Sequence, residues 1–526
     1  MRAARVATLL AFILSPLAAH AADTEIPPDI EAVTEAPLYK GATWGIRAVP
    51  LDSDVPLIAT GPDSLFFTGS VRKLFSVGLA LDALGVDHRF RTPVHRSGDV
   101  LAEGVLDGDL VIVASGDLTL GGRDLPDGSV AFTSFDHTES NSLGSSILTA
   151  PDPLGGLRAM AAEVAASGIT RVAGDVVVDD RLFEHFRVPN GNVLITPVIV
   201  NDNLVDVTIL PTEPGQPAAV DWRPRSAAFT VRNEATTVAA GEAADITLEV
   251  AADDPSVGIV KGTIPVGYVP PLPGVPTLVQ TFTIADPSAY LRTVFIEALA
   301  EAGVAVDAAP TGPNPADRLS SPGNYGDETK VAEFVSPTYG QYARLILKVS
   351  HNLGANLSLM LFGLHEGAHT RDTALAAEWK ALTGTLGLPG DGFDFPTNGS
   401  GSPDSRATPA TVTGLLQAMQ KTPVAETYFS ALPILGVDGS LASIGVEPPN
   451  PQISPAIGRV YAKTGTTMEP GTLKAQVFAG YLDAESGRRL AYVVYVNNVS
   501  PIENIAQVIG VFTDEGIISA LLRARY

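Results

Sequence analysis

The chain has 526 residues, of which 45% are hydrophobic and 17% charged, with 50 Gly, 41 Pro and no Cys. It is too long for one ordinary domain and too apolar for a disordered chain. A formal net charge of -24 argues against a nucleic-acid footprint, which needs a basic face, and the lack of Cys excludes disulfides, thiolate metal sites and a Cys nucleophile.

Arg2 and Arg5 precede an apolar run from Val6 to Leu14, and Ala19-His20-Ala21 puts small residues where a signal peptidase inspects the chain. Residues 1–21 are expected to be a signal peptide cut near Ala21, and the mature protein to be periplasmic. The run is shorter than the roughly 20 residues that span a bilayer, and no later stretch reads as a membrane helix. Leu65 to Gly85 reads as a largely buried helix stopped by Gly. Val105 to Val113 places Asp107-Gly108 between strand-like runs, a hairpin signal. Leu157–Ser167 and Ala289–Ala302 read as helices, Arg171–Val178 as a strand, and Val205–Gly267 as β structure before a Pro-rich connector at Pro270–Pro276.

From about Val335 long helices return, at Tyr339–Val349, Ala355–Leu364, Asp372–Leu386 and Pro409–Gln420. Strand-like runs follow at Val460–Ala462, Gln476–Leu482 and Leu490–Val496, with two closing helices at Glu503–Phe512 and Gly516–Arg523. The simplest architecture is an α/β domain, residues 22–95 and 331–526, split by a β-rich insertion at 96–330 that forms one unit or two nested ones.

Lysine is scarce, nine against 25 Arg, so its positions are informative, because Arg cannot act as a base. Ser70-Val71-Arg72-Lys73 puts Ser70 and Lys73 on one helix face, with Ser70 at a helix start that favours negative charge. A neutral Lys73 could take the Ser70 proton. That needs roughly 4–5 kcal/mol of bias against the ammonium, which burial and a second cation supply. Lys463, in Lys463-Thr464-Gly465-Thr466, is the candidate cation. Gly465 admits close backbone approach, and Thr464 and Thr466 offer hydroxyls to an anion. In Ser350-His351-Asn352, between two helices, Ser350 and Asn352 can face one cleft. Each triplet alone also fits a cap or a turn.

Together, Ser-x-x-Lys, Ser-x-Asn and Lys-Thr-Gly in this order are the motif set of serine β-lactamases and penicillin-binding proteins. The stretches SVRKLFSVGLALDALGVDHRFRT from Ser70, GVLDGDLVIVASGDLTL from Gly104, GDVVVDDRLF from Gly174, KGTIPVG from Lys261, NGSGSPDSRATP from Asn398 and GVDGSLA from Gly436 narrow the likeness. The chain resembles the D-alanyl-D-alanine carboxypeptidase/endopeptidase family of low-molecular-mass class C penicillin-binding proteins. The separation of 280 positions between Ser70 and Ser350 fits that family's insertion. His351 stands where the family more often has Asp or Asn, and Asn356 where an acid is expected.

The resemblance implies a transpeptidase-type fold, an antiparallel sheet flanked by helices, and a penicillin-sensitive serine hydrolase of cell-wall remodelling that needs no cofactor or metal. It implies Ser70 as nucleophile, Lys73 as base and Ser350 as proton relay. Asn352 would bind the substrate amide, Lys463, Thr464 and Thr466 the terminal carboxylate, and Gly465 would admit the substrate backbone, with the oxyanion on the N–H groups of Ser70 and Thr466. Peptidoglycan stem peptides are the implied substrates and β-lactams the covalent inhibitors; a homo-oligomer is compatible with the sequence. The competing readings are a β-lactamase-like hydrolase or esterase, and an inactive peptidoglycan-binding scaffold. His365-Glu366-Gly367-Ala368-His369 also satisfies a zinc-peptidase pattern, but Gly367 opposes the regular helix that this chemistry needs.

Overall fold

The computed structural model describes residues 23–526; the expected signal peptide, residues 1–21, lies outside the described residues. The two ends of the described chain share one sheet. Its five antiparallel strands run in the order Ile58–Thr60, Thr43–Pro50, Arg489–Val499, Thr472–Asp483 and Val460–Glu469. Both faces are covered, so the central strands read as continuous apolar runs. Alternate residues serve different layers. Ala491, Val493 and Tyr495 enter the core shared with helices Lys73–Leu84 and Pro409–Met419, while Leu490, Tyr492 and Val494 enter the core under helix Ile505–Arg525.

The expected helix in Leu65–Gly85 resolves into a short strand, Phe66–Phe67, a 3-10 turn, Gly69–Arg72, and helix Lys73–Leu84. This helix is buried from Lys73 to Leu81 and packs between Tyr339–Val349 and Asn352–His365. Arg72 pins the turn from behind. Its guanidinium lies over the Phe395 ring at 4.0 Å and pairs through two nitrogens with Glu378, Nη1 to Oε1 at 2.8 Å. Both side chains are buried, so losing either would strand a charge.

Between helices Lys73–Leu84 and Tyr339–Val349 lies the β-rich insertion with its own core. Strands Arg89–Val100 and Lys330–Thr338 pair antiparallel, so the chain enters and leaves the insertion along adjacent strands of one six-stranded sheet. Residues 95 and 330 lie on these two strands. Two three-stranded sheets follow, one of Leu204–Leu210, Ala219–Arg223 and Leu278–Thr283, the other of Thr230–Val238, Asp245–Val250 and Val257–Pro265.

Three sequence expectations are corrected. Arg171–Val178 is not one strand but two short ones, Arg171–Val172 and Val176–Asp179, parted around Gly174. Asp107-Gly108 is not a turn, because Val105–Val113 is one strand and the reversal comes earlier, at Leu101–Gly104. Gly108 instead faces Gly98 across the ladder, where a Cβ would lie 1.8 Å from the Ser97 carbonyl oxygen. The closing segment is one helix, Ile505–Arg525, not two. Gly516 does not break it; the missing side chain lets the helix lie close to Ile453. This helix is long and apolar enough to cross a membrane, but it packs on the sheet and buries Glu515.

Candidate active site

Ser70 sits in the 3-10 turn that feeds helix Lys73–Leu84, and Lys73 is the first residue of that helix. The turn abuts the edge strand Val460–Glu469 backbone to backbone. A Cβ on Gly69 would lie 2.6 Å from the Thr466 nitrogen, and one on Gly465 would lie 2.2 Å from the Thr68 oxygen and 3.1 Å from the Ser70 nitrogen. Only glycine on both sides allows this approach. It gathers the amides of Ser70 and Thr466, the two donors expected for an oxyanion, at one junction.

Ser350 ends helix Tyr339–Val349 in the left-handed region, with φ 63. For a non-glycine residue this costs on the order of 1–3 kcal/mol, and such strain concentrates at functional sites. The turn presents both Ser350 oxygens to Lys73. Four oxygens surround Lys73 Nζ: Ser70 Oγ at 2.7 Å, Asn352 Oδ1 at 2.7 Å, and Ser350 O and Oγ at 2.9 and 3.0 Å. An ammonium has only three N–H groups; a neutral amine has two and a lone pair able to accept the Ser70 proton. Burial lowers the Lys73 pKa to about 7, against the opposing charge of Glu139. The amine therefore changes protonation in the neutral range.

The strand expected at Val460–Ala462 extends through the whole Lys-Thr-Gly motif to Glu469 and forms the sheet's edge beside the Ser70 turn. Lys463 is buried and donates to the Thr464 carbonyl at 2.7 Å. Burial, and then the charge of Lys73, hold it well below the ordinary lysine range. The sequence predicts a part for Lys463 in lowering Lys73. Burial is the first cause at both lysines, and their charges repel each other in the space they share. Ser440 bonds the Thr464 hydroxyl at 2.9 Å. The Thr466 hydroxyl donates to Gln476 Oε1 at 2.7 Å, and Gln476 Nε2 donates to the buried Glu515 at 3.1 Å.

The structure thus brings Ser70, Lys73, Ser350 and Asn352 into one hydrogen-bonded group, with Lys463, Thr464, Gly465 and Thr466 on the adjoining strand. The two departures from the expected pattern have local partners. His351 caps the next helix, its Nδ1 accepting from the Gly354 N–H at 2.9 Å while Nε2 faces Asp202 at 3.0 Å. Asn356 donates to the Asn352 carbonyl and accepts from the Gly399 N–H, tying the Ser350 loop to the segment from Asn398.

Sequence reasoning missed Glu139 and Asn190, both from the insertion, and the supporting residues Gln476 and Ser440. Glu139 Oε1 accepts from Asn352 Nδ2 at 2.9 Å, and Asn190 Nδ2 donates to Asn352 Oδ1 at 3.2 Å and to Ser400 Oγ at 3.0 Å. No local pattern marks them, because their contacts arise only when the insertion folds back on the catalytic part. The His365–His369 pair does not share a helix face, since the helix ends at His365 and Gly367 turns left-handed before His369.

Comparison with known proteins decides the family. The model of the D-Ala-D-Ala carboxypeptidase 3 (S13) family matches residues 27–513. The chain belongs to the S13 family. As a member it is a serine D-Ala-D-Ala carboxypeptidase. A D-alanyl-D-alanine carboxypeptidase from Actinomadura sp. (strain R39) is 28% identical over 499 residues, covering 90% of this S13 chain and 81% of the relative. A penicillin-sensitive carboxypeptidase A from Dictyostelium discoideum is 26% identical over 230 residues, covering 43% and 41% of the two chains. The fold matches penicillin binding protein 4 (dacB) from Haemophilus influenzae with a TM-score of 0.68 at 18% identity, over 94% of this chain and 99% of that one. The same protein complexed with a β-lactam matches with a TM-score of 0.65 at 18% identity, over 94% and 100%.

Proposed function

We propose that this S13 chain works through an acyl-enzyme on Ser70, with the roles divided as follows. Lys73 Nζ takes the Ser70 proton as Oγ bonds to the carbonyl carbon between two D-alanines. The developing oxyanion lies on the N–H groups of Ser70 and Thr466, donors of a kind worth roughly 10²–10³ in rate each. As the C–N bond breaks, the proton moves from Lys73 through Ser350 Oγ to the leaving amine. Water then adds to the ester and returns a proton to Ser70. Asn352 binds the substrate amide, and the edge of strand Val460–Glu469 beyond Ala462, where the pairing with Pro433–Leu435 ends, accepts an extended peptide.

Lys463, Thr464 and Thr466 receive the terminal carboxylate. Its charge restores the proton-holding power of Lys463, and a charged Lys463 in turn disfavours a second ammonium at Lys73. Substrate binding thereby favours the form of Lys73 that acts as base. The four-oxygen cage around Lys73 Nζ, with Ser70 Oγ at 2.7 Å, carries this reading.

The substrates on this reading are peptidoglycan stem peptides, β-lactams are covalent inhibitors, and the mature protein is periplasmic after cleavage near Ala21. The test is incubation of the purified protein with a pentapeptide ending in D-Ala-D-Ala, with a cross-linked muropeptide dimer and with nitrocefin. The expected result is release of D-Ala or cleavage of the dimer, blocked by stoichiometric penicillin. Rapid nitrocefin turnover without either product would favour the β-lactamase reading instead.

A further inference from the structure

The insertion sends an acidic side chain into the catalytic group, beside the neutral Asn190, and a buried ionic cluster holds it there. Segment 136–139 is a short turn whose last residue, Glu139, accepts from Asn352 Nδ2 at 2.9 Å, while Asn352 Oδ1 accepts from Lys73 at 2.7 Å. Glu139, Asn352, Lys73 and Ser70 therefore form a continuous hydrogen-bonded chain from the insertion to the nucleophile.

Behind this turn, Arg123 forks onto Asp136 at 2.7 and 2.9 Å and reaches Asp202 at 2.7 Å. His137 lies between two carboxylates, Nε2 on Asp202 and Nδ1 on Asp206, each at 2.6 Å. Burial opposes its charge, but Asp206 and Asp202 prevail and raise its pKa to about 10. Arg223 joins Asp206 at 3.1 Å. Three cations and three carboxylates thus balance inside the insertion. Asp202 also meets His351, the residue between Ser350 and Asn352, at 3.0 Å. The cluster therefore grips the Ser350 loop directly and, through Glu139, the Asn352 amide.

We propose that Glu139 is a positioning residue of the active site, supplied by the insertion, which orients Asn352 and whose negative charge sets the pH at which Lys73 becomes a base. This rests on the reading of Lys73 as the base for Ser70. The charged or titratable groups facing Glu139 are Lys73, Lys463, His351 and Asp136, and those facing Lys73 are Glu139 and Lys463. Burial raises the Glu139 pKa while Lys73, His351 and Lys463 oppose that rise, and ionised Glu139 is the counter-charge of the two lysines that share this buried space. Without it, Lys73 loses its proton at lower pH.

The test is the second-order rate of acylation by a fluorescent penicillin, measured from pH 5 to 9 on the full mature chain and on Glu139→Gln and Glu139→Ala. The glutamine keeps an oxygen for Asn352 but removes the charge. Its plateau rate should stay within about threefold of wild type, while its acid limb moves down by roughly one to three pH units, making it faster than wild type at pH 5.5. The alanine also releases Asn352, and its plateau should fall by about 10–100-fold. Thermal melting of each variant identifies loss of fold, which would leave the pH limb of the surviving fraction unmoved. An unchanged acid limb in the glutamine variant together with a wild-type plateau in the alanine variant would overturn the proposal. A wild-type protein that penicillin does not acylate would overturn the Ser70 and Lys73 reading, and Glu139 with it.

Discussion

Replacing Ser70 by Ala is expected to abolish D-Ala release and penicillin labelling together, with the rate falling on the order of 10⁶. The hydroxyl is the atom that forms the ester, and no nearby group replaces it. Ser350 Oγ shares the Lys73 amine at 3.0 Å, but it is Ser70 that belongs to the turn at the Gly69–Gly465 junction, where the expected oxyanion donors meet. The variant should fold normally, since Ser70 is partly exposed and the turn is held by Arg72 and Glu378. Peptidase assay and gel fluorescence read the two losses; labelling that survives in Ser70→Ala would remove Ser70 from the mechanism.

Lys73→Arg should be nearly as damaging, lowering acylation by about 10²–10⁴. Arginine keeps the charge but stays protonated at any usable pH, so it cannot accept the Ser70 proton. The wild-type pH profile supplies the independent check. Burial brings Lys73 to about 7, and the neutral amine is the active form. Acylation should therefore decline as pH falls through the neutral range and level off above it. A profile flat from pH 5 to 8, or a Lys73→Arg variant near the wild-type rate, would contradict the assignment.

The parts of the site that depend on neighbours in sequence were legible. Ser70 and Lys73 are three residues apart on one turn, and Ser350 and Asn352 two apart across a helix junction; spacing allows each pair to act together, and the three motifs in order single them out. The same holds for Lys463 to Thr466 on one strand. Glu139 and Asn352 are separated by 213 residues, and nothing near Glu139 distinguishes it from the many other surface acids of a chain with 58 Asp and Glu. Its role follows from the clamp of Arg123, His137 and Asp202, which exists only in three dimensions.

The fold follows the same division. Helices Tyr339–Val349 and Pro287–Glu301 have apolar patterns that the sequence expresses directly. Asp107-Gly108 misled because Gly serves two purposes, a turn or a close strand contact, and only the partner strand with Gly98 tells them apart. Gly516, expected to open a second closing helix, lies instead inside one, where its missing side chain is a packing gap. His351 stands outside the expected motif pattern, and its reason is also tertiary, the Asp202 carboxylate of the insertion.

The central claim is that Ser70 forms the covalent intermediate. Mass spectrometry of proteolytic fragments after brief penicillin treatment tests it most directly. The account predicts one equivalent of penicilloyl mass on the fragment containing Ser70; the same mass on a different fragment, or an unmodified protein at saturating penicillin, would contradict it.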